Sequence, residues 1–447
     1  MAMTESQKYQ EYLRIISNPD FMHPFTKIEF LNPDNTVAYA LDGTYKRRFG
    51  YPDSRAFLQD GTVNISLNNG QRRTASVRFE NLDNAFDYAI NKLWFGRRVR
   101  LLKGVILKDG SEYYISQGVF YLNSPKTGWK PNSRVSEYSL VDKWAYLDGT
   151  LFGNLENTYE VPAFVSGSTT ERTNIFEAMQ GILQLSIFDH KYTPDKVKQV
   201  DNVKPIFTDY YNNRYTTING QQVAMNLMPK TVTTSMGGTY GKVLLDLNAL
   251  IAGWIGYDSN GALRVDASAD DLNDADKPVM WKFDENSKTF FGLDETANPS
   301  QVYNDIIVWG EGLNGEVVGA RATNYDPTSD TNANLIGLKT YVESSDINYT
   351  NEQCQALANW YLKRKTVLQK SVTISCSQMF HLRENNLISV LRSDKPNKPI
   401  EKHLIQAISI PLSEKGSCSI TATSVNDFPE VTEVSMDEFL KNQGENT

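Results

Sequence analysis

From 302 to 376 the spacing of apolar residues changes period, so this one segment must supply both strands and a helix. Ile306 and Val308 open a strand, and Leu313, Asn314 and Gly315 turn the chain back to Val317 and Val318. After a polar gap, Cys354, Leu357, Ala358 and Tyr361 recur at i, i+3, i+4 and i+7, which makes one apolar helical face. Thr350 offers an N-cap hydroxyl, and Gln353, three residues on, completes a capping box. Lys363, Arg364 and Lys365 crowd the last turn, where the helix dipole favours cations. The period then falls to two, because Val372, Ile374 and Cys376 alternate with Ser371, Thr373 and Ser375. The spacing predicts strand, turn, strand and loop, then a helix over 350–365 and a half-buried strand.

The rest of the chain is strand-rich by the same rule. Thr4 and Gln7 form a capping box for a helix over 4–17, with Tyr9, Leu13 and Ile16 on one face and Pro19 as its stop. Val63, Ile65 and Leu67 face Ala75, Val77 and Phe79 across Asn69-Gly70, which predicts a hairpin. Asp42-Gly43 is another turn signal, 82–92 reads as a short helical excursion, and further strands fall near 99–101, 113–115, 119–122 and 138–141. Pro162, Gly167 and a Ser/Thr run mark 150–173 as a linker. Asn174 caps a helix lined by Phe176, Met179 and Leu183. A second helix over 240–252 uses Val243, Leu244, Leu247 and Ile251, and a hairpin follows over 254–265. Polar 191–238 reads as loops and short strands. Two last strands, near 404–410 and 417–422, flank a Gly416 turn. The acidic tail 431–447 carries a weak helical patch at 436–440.

No catalytic constellation emerges. His23, His190, His381 and His403 are far apart and lack metal-ligand spacing. The acidic run Asp266, Asp270, Asp271, Asp274 and Asp276 lacks the turn glycine and closing glutamate of a calcium loop, and reads as a solvated loop. Arg97, Arg98, Arg100 and Lys103 form a basic cluster without an aromatic platform, which fits an outward strand face or a subunit contact better than a nucleic-acid site. Cys354, Cys376 and Cys418 sit at apolar positions and read as buried free thiols, made in a reducing cytoplasm. The net charge of −8 argues against a general nucleic-acid binder and reads first as ordinary solubility charge, with an acidic wall that repels DNA as the alternative. No charged-then-apolar leader opens the chain, and its longest apolar run, 243–257, is broken by Asp246 and Asn248. No cofactor, metal or stable membrane anchor is expected.

The order of elements over 302–390 resembles the second domain of baseplate-hub proteins from tailed bacteriophages and related tail-like particles. The carriers are Val308-Trp309-Gly310, the helix beginning at Thr350, and the turn Leu382-Arg383-Glu384-Asn385-Asn386-Leu387-Ile388. That turn departs from the family's Gly-Asp by reading Asn-Asn, and Asn enters the left-handed region readily. The run from Val63 to Arg73, then Gln117-Gly118-Val119-Phe120, then Val141-Asp142-Lys143-Trp144 before Leu147-Asp148-Gly149, resembles the opening domain of tail proteins from phages of Gram-positive hosts. The helix and hairpin of the middle region resemble the family too.

The resemblance implies a mainly β, α+β multidomain chain with two tail-tube-like β-barrel domains and a mixed α/β insert. Its divisions are an N-terminal helix (1–20), a first barrel (21–150), the insert (151–300), a second barrel carrying the helix over 350–365 (301–430), and the tail (431–447). It implies a structural virion protein, the hub of a tail tip or baseplate. Three copies form a pseudo-six-fold ring that continues the tail tube. Its partners are tail-tube or distal-tail ring proteins, a tape-measure protein, and tip spike or receptor-binding proteins. DNA meets it only in transit through the lumen. It is assembled in the host cytoplasm and has no catalytic residue. Two other classes stay open: a tail-associated enzyme that degrades glycan or cell wall, and a carbohydrate-binding adhesin.

Overall fold

The computed structural model describes residues 3–18, 20, 22–31, 36–42, 57–80, 98–131, 133–163, 174–185, 201, 203–209, 215–218, 221–224, 226–228, 230–251, 253–267, 278–297, 300, 302–312, 315–344, 350–366, 370–394, 400–424 and 432–434. The expected helical excursion at 82–92, most of the 43 and 313–314 turns, and the 436–440 patch lie outside them.

The chain opens with α1 (Glu5–Ile16), then β1 (Phe25–Leu31), β2 (Val37–Asp42), β3 (Phe57–Ser66), β4 (Arg73–Glu80), β5 (Arg98–Ile106), β6 (Glu112–Lys130) and β7 (Ser133–Asp142). A 3-10 turn, Lys143–Tyr146, leads out of β7. The middle holds β8 (Tyr159–Val161), α2 (Ile175–Gln184), β9 (Ile206–Phe207), β10 (Tyr215–Ile218), β11 (Gln221–Ala224), β12 (Val232–Thr234), α3 (Tyr240–Leu250), β13 (Gly253–Tyr257) and β14 (Leu263–Ala267). The last part holds β15 (Val279–Asp284), β16 (Phe290–Ala297), β17 (Asp305–Glu311), β18 (Val317–Thr323), α4 (Ala333–Ile336), β19 (Thr340–Ser344), α5 (Asn351–Thr366), β20 (Lys370–Cys376), β21 (Leu387–Leu391), β22 (Ile400–Pro411), β23 (Cys418–Ser424) and β24 (Thr432–Val434).

Thirteen strands make one sheet. Its path runs β16-β20-β23-β22-β3-β4-β7-β6-β5-β1-β2, with β21 pairing β22 and β15 pairing β21 in parallel. The seam is β22 against β3, where Ala407, Ile408 and Ile410 meet Ser66, Ile65 and Val63. Strands from 21–150 and from 279–424 therefore share one sheet and one apolar core, which runs from Ile28 and Phe79 to Ile374 and Ile420. The sequence predicts two barrels. The ladders among the described residues close none, although the chain link from β15 to β16 folds that end over and brings the Phe283 and Phe290 rings to 5.9 Å. Periodicity names the buried face of each strand but not its neighbour, so the shared seam is invisible in sequence.

Two smaller units hang from this sheet. In one, α2 and α3 pack with the β13–β14 hairpin around Met179, Leu244, Leu247, Ile255 and Val265. In the other, α5 covers β17 and β18, burying Cys354, Ala358 and Leu362 on Ile306, Val308 and Ala320. Its sheet runs β19-β17-β18-β24, so residues 432–434 return to it. The α5 cap is as expected: Gln353 N–H donates to the Thr350 hydroxyl at 3.1 Å. Asn385 takes φ 64°, the left-handed conformation its turn requires.

Helix α1 has both halves of its capping box. It docks on the main core through Tyr12 and Ile16 rather than through Tyr9 and Leu13, which only flank the contact. The Tyr12 ring sits 5.1 Å from Phe380, and its hydroxyl lies 3.1 Å from His381 Nδ1. Burial, with Arg383 nearby, lowers the His381 pKa to about 3. The unfolded chain thus takes up a proton at His381 that the folded chain refuses, and stability falls as pH drops from about 6.5 toward 3. Tyr12→Phe keeps the ring but strands the buried imidazole, and should cost about 1–3 kcal/mol in urea unfolding at neutral pH.

Candidate functional site

The charges that matter most to this fold are inside it. Asp142, at the end of β7, is fully buried. One of its oxygens accepts from the backbone N–H groups of Arg72 and Arg73, both at 2.8 Å, and the other accepts from Trp144 at 3.0 Å. Burial pushes its carboxyl up to about 6, and those three donors pull against that rise. The carboxylate thus ties the start of β4 to the turn that leaves β7.

The side chains of Arg73 and Lys143 reach away from this anchor. Arg73 Nη2 grips Glu384 at 2.6 and 2.7 Å, and Nη1 donates to the Tyr257 carbonyl. Lys143 Nζ bonds Asp201 at 2.6 Å and the Gly261 carbonyl at 2.8 Å, and lies over the Tyr257 ring at 4.9 Å. Burial pulls the Lys143 pKa down while Asp201 opposes the shift. Next to Glu384, Arg383 donates to the Ser116 carbonyl at 2.7 Å and to Phe380 and Leu382 at 2.9 Å. Burial lowers its pKa to about 10.

The β13–β14 hairpin is seated in this junction. Gly70 N–H donates to Ile255 O, and Ile255 N–H donates to Asn69 Oδ1, both at 2.9 Å. Ser116 Oγ donates to the Ser259 carbonyl at 2.5 Å. Gly256 lies so close that a Cβ there would come within 2.4 Å of the Arg72 side chain. On its other flank Trp254 meets Trp360 of α5 at 5.7 Å. One hairpin therefore touches the β3–β4 turn, β6 and α5, and is linked to the β21 approach through Arg73. The junction offers no exposed nucleophile or open acid pair. What it can do is hold several parts of the chain in fixed relation.

Among the described residues, those singled out in sequence are not gathered at one place. His23 faces Glu414 at 3.2 Å on the surface, while His381 and His403 are buried apart, and His190 lies outside the described residues. Asp266 pairs with Arg264 at 2.8 Å, and Asp270, Asp271, Asp274 and Asp276 lie outside. Among the described residues no group of three or more His, Cys, Asp or Glu is placed to hold a metal, and no helix is long and apolar enough to cross a membrane. The basic cluster is not a surface: Arg98 is buried, Arg100 pairs with Glu29 at 3.2 Å, and Lys103 is fully buried on the carbonyls of Leu412 and Ser413. Arg97 lies outside. The signal for Lys103 was present, because it shares the inward face with Val99, Leu101 and Val105. Arg73 and Lys143 had a weaker signal, charges set directly against apolar strand ends, and Glu384, in a turn, had none.

Outward-facing apolar groups concentrate in two places. On the β6–β7 ribbon, 124–130 are exposed and Trp129 is 71% exposed, with Lys130 next to it in the chain and Arg134 opposite it in the ladder. On the unit bearing α5, Trp309, Val317 and Val342 face away from the helix, with Leu335, Ile336 and Leu338 also exposed.

No protein-family model matches the chain, and no curated protein sequence matches it. Its fold is similar to the tail protein from Neisseria meningitidis MC58, with a TM-score of 0.53 and 9% identity over 90% of this chain and 97% of that one. It is similar also to the 43 kDa tail protein of prophage MuSo2 from Shewanella oneidensis, with a TM-score of 0.53 and 11% identity over 90% of this chain and 98% of the other. At such identities the likeness is one of fold.

Lys143→Met should destabilise the chain by about 3–5 kcal/mol, because it leaves the buried Asp201 without its cation. The double variant Lys143→Met/Asp201→Leu should regain most of that loss in the same denaturant titration. Burial lowers the Lys103 pKa from 10.5 to about 7. Between those values the unfolded chain binds a proton that the folded chain does not, so stability rises with pH from about 7 to 10.5. In Lys103→Met that slope should flatten when unfolding is measured across the same window.

Proposed function

We propose that this chain is a structural component of a phage tail or tail-like particle, acting as the hub of its tip or baseplate. The observation that carries this is the architecture shared with two tail proteins along nearly their whole length. Three copies form a pseudo-six-fold ring, each contributing the two strand-rich stretches that its long sheet joins. The ring continues the tail tube and binds tube or distal-tail ring proteins above, a tape-measure protein within, and spike or receptor-binding proteins below. DNA passes through the lumen without a stable complex. The protein resides in the virion tail, and no residue is assigned a catalytic role.

A hub must transmit force between tube and tip without coming apart. The buried ionic junction suits that task, because it fixes the insert hairpin, both strand-rich stretches and α5 at one point. The exposed ribbon suits assembly. An exposed tryptophan with Lys130 next to it and Arg134 across the ladder, carried by a chain of net charge −8, suits a contact with a neighbouring copy.

Negative-stain electron microscopy of the purified chain at high concentration should show three-fold rings with a central hole. Single compact particles at every concentration, and also with tail-tube protein as a template, would overturn the ring. If the ribbon carries a contact, Trp129→Ala should weaken self-association at least about 30-fold by sedimentation, the scale of an interface tryptophan worth 2 kcal/mol or more.

A further inference from the structure

Two of the three cysteines are register partners. Cys376 ends β20 and Cys418 begins β23, so they form the terminal pair of that ladder. They are in phase with Val372, Ile374, Ile420 and Ala422, and both lie in the main core as free, fully buried thiols. Directly opposed residues on antiparallel strands place their Cβ atoms about 4.5–5.5 Å apart. A disulfide needs about 3.5–4.5 Å. A shift of about an ångström closes that difference. Cys354 belongs to the separate core under α5 and has no such partner there.

The two sulfurs are not equivalent. Burial pushes the Cys418 thiol up to about 12, and the Met379 backbone N–H and then Lys103 pull against that rise. Cys376 has burial against it and the Cys418 charge as well. Ser417, which precedes Cys418, is exposed, so the loop side of β23 is the short path by which a small oxidant reaches this sulfur.

We propose that Cys376 and Cys418 are an oxidative modification site, at which a peroxide converts the opposed thiols into a cross-strand disulfide that staples β20 to β23. The Cys418 thiolate attacks one peroxide oxygen. The O–O bond breaks, an S–O bond forms, and the departing hydroxide takes a proton to leave as water. The Cys376 thiolate then attacks the sulfenic sulfur. The S–S bond forms, the S–O bond breaks, and a second water leaves. Two thiols give up two electrons and two protons, and one hydrogen peroxide becomes two waters. The staple adds a covalent tie between the β16–β20 edge pair and the centre of the sheet, which the ladder and core packing hold in the reduced chain.

The test treats the full-length protein with graded hydrogen peroxide, then denatures it and titrates its thiols with a maleimide. The titre should fall from three to one, return to three with dithiothreitol, and map by peptide mass spectrometry to a Cys376–Cys418 link. The oxidised form should melt at a higher temperature. Cys354→Ser should keep the reversible loss, whereas Cys376→Ser and Cys418→Ser should abolish it. If a serine variant does not fold, the wild-type peptide map decides alone. A titre that stays at three, a link through Cys354, or irreversible oxidation of Cys418 without a link overturns the proposal.

Discussion

Ions held out of water organise this molecule. Arg73 and Glu384 come from positions 311 residues apart, yet they meet with two short contacts and almost no solvent. Removing two charges from water costs several kcal/mol each, and their attraction returns that only when the geometry is good. Apolar residues of similar volume would hold these surfaces together at least as well. They would not specify one arrangement, because apolar packing tolerates small slides and a bidentate contact does not. The same logic applies to Lys143 and Asp201, and to the three N–H groups aimed at Asp142. The junction is best understood as a fixer of relative placement, and the sheet, the insert hairpin and α5 all converge on it.

That placement makes one long sheet useful. β22 spans the seam, pairing with β21, β23 and β3. A pull on either end passes through backbone hydrogen bonds in the sheet rather than through a linker. The insert, which leaves at Lys143 and returns before β15, would otherwise swing about its exit and entry points. Its hairpin is pinned instead, by Asn69 and Gly70 on one side and by Trp360 on the other.

The local elements were legible in sequence because their causes are local. Thr4 with Gln7, Asn174, and Thr350 with Gln353 marked three helix starts within a residue or two. The Asn69-Gly70 hairpin and the left-handed Asn385 followed from turn chemistry. The shared seam and the parallel pairing of β15 with β21 did not, since alternation shows which side of a strand is buried and says nothing of its partner. The junction was missed for a different reason. Arg, Lys, Asp and Glu are read as solvated by default, and only their phase on a strand reveals otherwise. Lys103 was readable that way. Glu384, in a turn with no period, was not.

The distribution of polar and apolar groups then separates what the chain settles alone from what it leaves for a neighbour. Inside, the buried charges of the junction meet partners from remote parts of the same chain, so the protomer completes its own architecture. Outside, Trp129 and the face bearing Trp309, Val317 and Val342 hold large apolar area in water. Scattered exposed apolar residues need no explanation, but tryptophan on a ribbon that extends past its own sheet gains nothing from the fold that carries it. Such a side chain lowers the free energy of the system only when another surface covers it. A rigid interior with sticky, outward-reaching edges fits the proposed role in a larger particle, where the joint has to be stiff before neighbours dock.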